Sequence, residues 1–301
     1  MSTAQTVRRA DRPGSRPAGR PGTGATRRGI ALMLPAAILM AVLTVVPVIA
    51  VLDRALSDTE AFGRLFDAPN FGRVMLNTLV WTLVSVAGAL LIGYAAALLL
   101  RSPFLRLTGV WRGLFMIPWI IPGVVGATVW RWSLSSDYGL VNHWLVQSGL
   151  IEQPIAWLSN PDVVLYAVAL IQIWTTAPFV MLMVSAALTG IPAERYEAAR
   201  LDGASGWQTF AYIVLPAIRS TTWIAVLTLV TWALNSFTII WVMTSGGPAG
   251  ASTILPIQLY QAFQRGDQSM VSAIAVLQLA ICAVFVAIYA RAMRSDLEEL
   301  S

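Results

Sequence analysis

Side chains that could carry chemistry are few in this 301-residue chain, and they are unevenly placed. There is one histidine, His143, and one cysteine, Cys282, which excludes an internal disulfide and argues against a zinc site or a histidine-dependent triad. Cys282 stands in an apolar run and reads as a small packing residue. All 20 basic residues are Arg and none is Lys. A phosphate-binding loop uses its Lys on the β and γ phosphates, so nucleotide hydrolysis belongs on another polypeptide. Neither catalysis nor a metal is expected of this chain.

What stands out is a charged stretch, residues 191–219, holding Glu194, Arg195, Glu197, Arg200 and Asp202. Pro192 suits the first position of a helix and Gly203 a left-handed stop, which predicts a short helix at about 192–204. Some eleven residues are too few for a helix stable alone in water, so this one must lean on something. Ala198 and Ala199 would let another surface come close, and Glu194, Glu197 and Arg200 could fix its orientation. An amphipathic helix lying at a membrane interface has the same features. Residue types alone leave both readings open.

A second set is neutral and lies inside apolar segments: Gln172, Thr175 and Thr176, then Thr228, Trp232 and Asn235, then Gln278. Positions 228, 232 and 235 share one helical face. An indole packs on the C–H face of a pyranose while amides bind its hydroxyls, so Trp232 with Asn235 suits a saccharide. The same groups can serve as polar bonds between helices, worth about 0.6 to 2 kcal/mol each in a membrane. Charged groups inside the apolar segments would mark an ion or proton path, and there are none.

Of the 301 residues 57% are hydrophobic and 12% charged, against roughly 25% charged in a soluble domain. A span needs about 20 apolar residues, and an Asp or Arg at its centre costs about 2.5 to 3.5 kcal/mol. Charge-free windows at 29–52, 74–100, 113–130, 163–190, 220–243 and 269–290 predict an all-α, polytopic membrane protein of six spans. Residues 244–264 are also uncharged, but Gly246, Gly247 and Pro248 interrupt them. They read as an outer loop with a short surface helix at 252–263. A seventh span would also separate Arg291 and Arg294 from the other basic ends.

With the N-terminus inside, the inner segments hold 15 Arg and the outer ones five: Arg54, Arg64, Arg73, Arg131 and Arg265. That bias puts both termini in the cytoplasm. Residues 1–28, rich in Arg, Pro and Gly, read as a disordered basic tail. The tail suits an orientation signal near anionic lipid better than a nucleic-acid contact. The six-span domain then covers 29–295, with the short helix at about 192–204 in its cytoplasmic part, and 296–301 form a second cytoplasmic tail.

One spacing is distinctive. Glu197-Ala198-Ala199, three residues, Gly203, nine residues, then Ile213-Val214-Leu215-Pro216 resembles the EAA loop in permease subunits of bacterial binding-protein-dependent ABC importers. The resemblance implies a type I ABC importer permease-like fold in the inner membrane, with the helix near Glu197 seated on an ATPase subunit. Glu197, Ala198, Ala199, Asp202, Gly203, Leu215 and Pro216 would then carry the coupling.

Further segments are similar to the carbohydrate branch of that family: Asn77-Thr78-Leu79, Ile117-Pro118-Trp119-Ile120-Ile121-Pro122 with Trp130-Arg131-Trp132, Tyr138-Gly139-Leu140-Val141-Asn142, Thr244-Ser245-Gly246-Gly247-Pro248, Thr253 and Tyr260-Gln261-Ala262-Phe263. They look most like the maltose and glycerol-phosphate first-permease type, here as a six-span core without that type's extra spans and large outer domain. The likeness implies a second permease chain as heterodimeric partner, two ATPase subunits holding ATP and Mg, and an extracytoplasmic solute-binding protein. Gly246, Gly247 and Pro248 would sit at an outer gate or binding-protein contact, and Gln172, Thr176, Thr228, Trp232, Asn235 and Gln278 on the cargo route. Three functions follow: a sugar importer permease, a permease for a non-sugar solute, or a membrane scaffold or channel without an ATPase.

Overall fold

The computed structural model describes the backbone of residues 23–102 and 105–298, and the side chains of 33–102 and 105–293. By internal contacts the chain divides into Met1–Val51 and Leu52–Ser301. In its described part the first unit is one helix, α1 (Thr23–Ser57), which runs on into the second unit. It begins inside the stretch read as tail, two residues past Pro21, and continues through Pro35 and Pro47. Most of the expected tail 1–28, and residues 299–301 of the C-terminal one, lie outside the described residues.

The second unit contains α2 (Glu60–Phe66), α3 (Phe71–Leu100), α4 (Thr108–Ile120), α5 (Gly123–Ser133), α6 (Leu140–Gln147), α7 (Val164–Thr189), α8 (Ala193–Leu201) and α9 (Gly206–Thr209). A wide π-helical turn (Phe210–Val214) then leads to α10 (Leu215–Ala217), α11 (Arg219–Leu234), α12 (Thr238–Thr244), α13 (Leu255–Gln264) and α14 (Gln268–Glu298). The described residues contain no strand. Among the described residues four helices are long and apolar enough to cross a bilayer, and the number is six if each of two bent pairs forms one span.

The core is built on α3 against α7. At Gly88 a Cβ would lie 2.3 Å from Ile173 Cδ1, and at Gly93 it would lie 2.4 Å from Val180 Cβ and 2.8 Å from the Ala177 carbonyl. Only hydrogen fits at these two crossings, so the backbones meet as closely as small residues allow in membrane helix pairs. Val168, Val180, Met181 and Val184 of α7 are fully buried there. A second cluster joins Ala61 and Leu65 of α2, Val74 of α3, Leu255 and Ala262 of α13, and Ala273 and Ile274 of α14. Pro178 lies inside α7, which nevertheless continues unbroken to Thr189.

Three expectations change. The window 113–130 is not one straight span: α4 and α5 meet at 95°. Pro122 has no N–H to continue the ladder and forces Ile121 into an extended conformation, with ψ of 129°. The window 220–243 breaks at Asn235, and α11 is itself bent by 72° from the segment before it. The helix after the Gly-Gly-Pro segment is not a surface helix, since α13 buries Leu255, Ile257, Gln258 and Ala262 and packs against α14 and α3.

Gly93→Val forces branched carbons into Val180 and the Ala177 carbonyl, and overpacking of this kind costs about 1 to 3 kcal/mol. Detergent-solubilised G93V should melt several degrees below the wild type. An unchanged melting curve would mean that α3 and α7 are free to separate.

Candidate functional site

The charged stretch folds as the composition asks, with its start shifted by one residue. Pro192 is the N-cap (φ −57°, ψ 140°) rather than the first helical residue, because its extended ψ leaves it outside the helix. At the other end Gly203 has φ +70°, its N–H donates to Arg200 O at 3.2 Å, and Ala204 N–H reaches Ala199 O at 2.9 Å. This pair of bonds is the Schellman stop that satisfies the last carbonyls of α8. Ser205 then opens α9 with a capping box: its N–H donates to Gln208 Oε1 at 2.7 Å, and its Oγ accepts from Gln208 N–H at 3.3 Å.

Pro216 lacks the N–H that would bond Tyr212 O, and the backbone ahead of it widens into the π turn. An open groove of about 890 Å³ sets Ala198, Ala199 and Asp202 against Tyr212, Ile213 and Pro216, within the roughly 300 to 1,000 Å³ of ligand clefts. Gly203 lines a smaller hollow with Ala204, Gln208 and Tyr212. Glu197 and Leu215 face neither and are exposed. The two alanines part company. Ala199 is turned into the protein, so its small side chain serves the chain's own packing, while Ala198 stays exposed.

The neutral set gathers around the break after α11. In an apolar layer the last carbonyls of a helix need partners from within the protein. Asn235 Nδ2 donates to Thr231 O at 2.9 Å, Trp81 Nε1 to Ala233 O at 3.1 Å, and Gln278 Nε2 to Leu234 O at 3.2 Å and Asn235 Oδ1 at 3.0 Å. Beside them Ser236 Oγ donates to Gln172 Oε1 at 3.3 Å. Gln172, Asn235 and Gln278 are thus joined to one helix end. Thr176 and Thr228 are not part of this set: each hydroxyl bonds the carbonyl four residues back on its own helix. Trp232 packs against Phe179, ring centroids 4.8 Å apart and planes tilted by 53°, and Phe179 meets Trp119 at 6.1 Å.

The third site, Gly246, Gly247 and Pro248, belongs to a cross-bonded loop. Gly246 is buried with φ +91°, and a Cβ there would meet Thr253 Oγ1 at 2.5 Å. Ser252 Oγ donates to Gly247 O at 2.7 Å and Thr253 Oγ1 to Gly246 O at 3.0 Å. The Gly247–Pro248 peptide is cis. The loop is fastened from α3: Asn77 Nδ2 donates to Gly250 O and Thr253 O, and Thr78 Oγ1 accepts from Leu255 N–H at 3.1 Å. Arg73 reaches Ala249 O, and Arg131 reaches Val242 O.

Several of these fastening residues were not singled out for a role by sequence reasoning. Asn77 and Thr78 were visible as polar residues in the first turns of an apolar span. Asn142, 3% exposed, is another: it exchanges hydrogen bonds with Ile155 and accepts from Trp157 Nε1 at 2.9 Å. Trp81 carried no signal, because a Trp inside a span is ordinarily read as packing or as an interfacial anchor.

Residues 89–294 match the family model described as binding-protein-dependent transport system inner membrane component. A probable ABC transporter permease protein of Brucella suis biovar 1 is 36% identical, over 86% of this chain and 94% of its own length. The trehalose/maltose transport system permease protein MalF of Thermococcus litoralis is 33% identical, over 77% of each. Among solved structures, a chain of a bacterial ABC transporter involved in the import of the acidic polysaccharide alginate superposes with a TM-score of 0.80 at 22% identity, over 90% of this chain and 96% of that one, a likeness of fold.

Asn77→Leu keeps the size of the side chain and removes both bonds, leaving Gly250 O its backbone partner Thr253 N–H and depriving Thr253 O of the amide, a loss of about 1 to 3 kcal/mol. Hydrogen exchange in N77L should rise across residues 246–255 while α7 keeps its protection. Equal exchange in that loop would show that it holds its shape without α3.

Proposed function

The chain belongs to the family of binding-protein-dependent transport system inner membrane components, and on that premise we propose that it is the permease of an ATP-driven importer for a sugar or sugar derivative. Family membership makes it a multi-pass membrane transport subunit, not an enzyme. The sugar assignment rests on relatives such as the trehalose/maltose permease, and on the match of segments along the chain to the carbohydrate branch.

The observation that carries the coupling role is the exposed surface around α8. Leu201, Tyr212 and Trp207 are 89%, 79% and 74% exposed, beside charges of Glu194, Arg195, Glu197, Arg200 and Asp202 that form no ion pair with one another. An apolar patch rimmed by unspent charge is suited to a protein partner. That partner is an ATPase subunit, one of two, holding the ATP and Mg that this Lys-free chain does not hydrolyse. Glu197, Ala198, Asp202 and Gly203 form its seat, Pro216 sets the far wall through the π turn, and Leu215 stands exposed beside it.

The assembly includes a second permease chain as heterodimeric partner and an extracytoplasmic binding protein, which meets the end carrying Gly246, Gly247 and Pro248. The Arg bias of 15 to five puts α8 and both termini in the cytoplasm of a bacterial inner membrane. Cargo passes the exposed face of Trp232, whose ring offers a stacking surface. Gln172, Asn235 and Gln278 line the route from the broken end of α11, with Thr176 and Thr228 on the flanking helices. Closure of the ATPase dimer moves α8, and the spans change the side on which the route opens.

In membrane vesicles holding the whole complex, Glu197→Lys and Gly203→Asp should insert normally and abolish ATP-dependent uptake. E197K reverses an exposed charge, and G203D puts a side chain on a left-handed residue, at a cost of about 1 kcal/mol. Wild-type uptake by both variants would overturn the coupling role. Mass spectrometry of the ligand on the partner binding protein should find a saccharide, and an amino acid or peptide there would overturn the sugar assignment.

A further inference from the structure

We propose that Arg101 is the joint that binds the ends of α3, α7 and α8 into one lever, a positioning residue that passes movement of α8 to the spans. It caps the C-terminus of α3. Its Nη1 donates to Leu188 O at 2.8 Å, in the last turn of α7, and to Tyr196 Oη at 3.0 Å, on α8. Its guanidinium carbon also lies 4.6 Å from the centroid of the Tyr196 ring. Two helix C-termini carry partial negative charge at this place, and a cation there is favoured by both. A planar guanidinium can stack on a ring and donate at its edge together, which an ammonium cannot.

The rest of the geometry makes such a joint necessary. Along the chain α8 is tied to α7 by Gly190, Ile191 and Pro192. Ile191 in that link is buried with the core, while α8 beyond Pro192 is mostly exposed, so its tilt is left to side-chain contacts. Arg101 removes that freedom by holding Tyr196 against the carbonyl end of α7. It also brings in α3, which cannot slide past α7 because Gly88 and Gly93 leave no space at the crossings. A push on α8 therefore reaches two spans, and the loop fastened by Asn77 lies at the other end of the same α3, roughly 36 Å away at 1.5 Å per residue.

This inference rests on α8 being the ATPase seat, and the test separates the two. Full transporter carrying Arg101→Ala, Arg101→Lys or Tyr196→Phe is reconstituted in proteoliposomes, and uptake and ATP hydrolysis are measured together. R101A should co-purify with its ATPase and hydrolyse ATP at a rate within about twofold of wild type, while uptake per ATP falls on the order of tenfold. R101K, which keeps the charge, should recover part of that ratio. Y196F, which keeps the ring and loses the hydroxyl, should lose less than R101A, and it carries the test if R101A fails to insert. An unchanged ratio in R101A and Y196F, or uptake and hydrolysis falling in equal proportion, would overturn the joint. If the wild-type chain brings down no ATPase subunit, the docking reading itself is overturned.

Discussion

A helix that ends inside an apolar layer leaves carbonyls that no water can reach, and most of the distinctive side chains of this protein answer that one requirement. The end of α11 is the clearest case. Thr231, Ala233 and Leu234 each receive a side-chain hydrogen bond, from Asn235, Trp81 and Gln278 respectively. The donors come from α3, from α14 and from the residue that ends the helix, so the break fixes three elements relative to one another. An unpaired buried carbonyl would cost about 1 to 3 kcal/mol; Thr231 O and Ala233 O also accept the backbone N–H groups of Asn235 and Ser236 at 3.2 Å, so their side-chain bonds add to a pairing already made. The polar residues that first suggest a cargo route thereby also tie the broken span to its neighbours.

The second dependence is on α3. Its small residues let it lie against α7, its first turns hold the loop at 246–255, and the residue that caps it, Arg101, meets α7 and α8. Rigid contact along the middle and specific polar contacts at both ends are the requirements for a helix to act as a rod rather than as one wall among several. Sub-ångström freedom at either end is removed by geometry: two carbonyls on one amide at Asn77, and a stacked and hydrogen-bonded guanidinium at Arg101.

Much of this was legible in the chain. Hydropathy located α3 and α7 to within a few residues, since a long charge-free run has few other uses. The helix at 193–201 and its glycine stop followed from local rules that tertiary contacts seldom override, and Gly203 takes the left-handed conformation that those rules require. The bends were harder to see. Pro122 was in view, but a proline within a span can be absorbed, as Pro178 is in α7, and only the packing of α5 on α12 separates the two outcomes. The pairings were not legible at all. Nothing local in Trp81 points to Ala233, or in Arg101 to Tyr196, because each bond joins residues far apart in sequence.

The wide turn at 210–214 gives the spacing between Gly203 and Pro216 a geometric meaning. Those residues measure out one glycine stop, one capping box, one helical turn and one wide turn, after which Pro216 faces Ala199 across the groove. Each residue of a helix advances the chain by about 100° around its axis. A single insertion or deletion between the two landmarks would swing Pro216 out of the groove wall, even with every side chain there unchanged. The interval works as a ruler, and its length carries as much information as the letters within it.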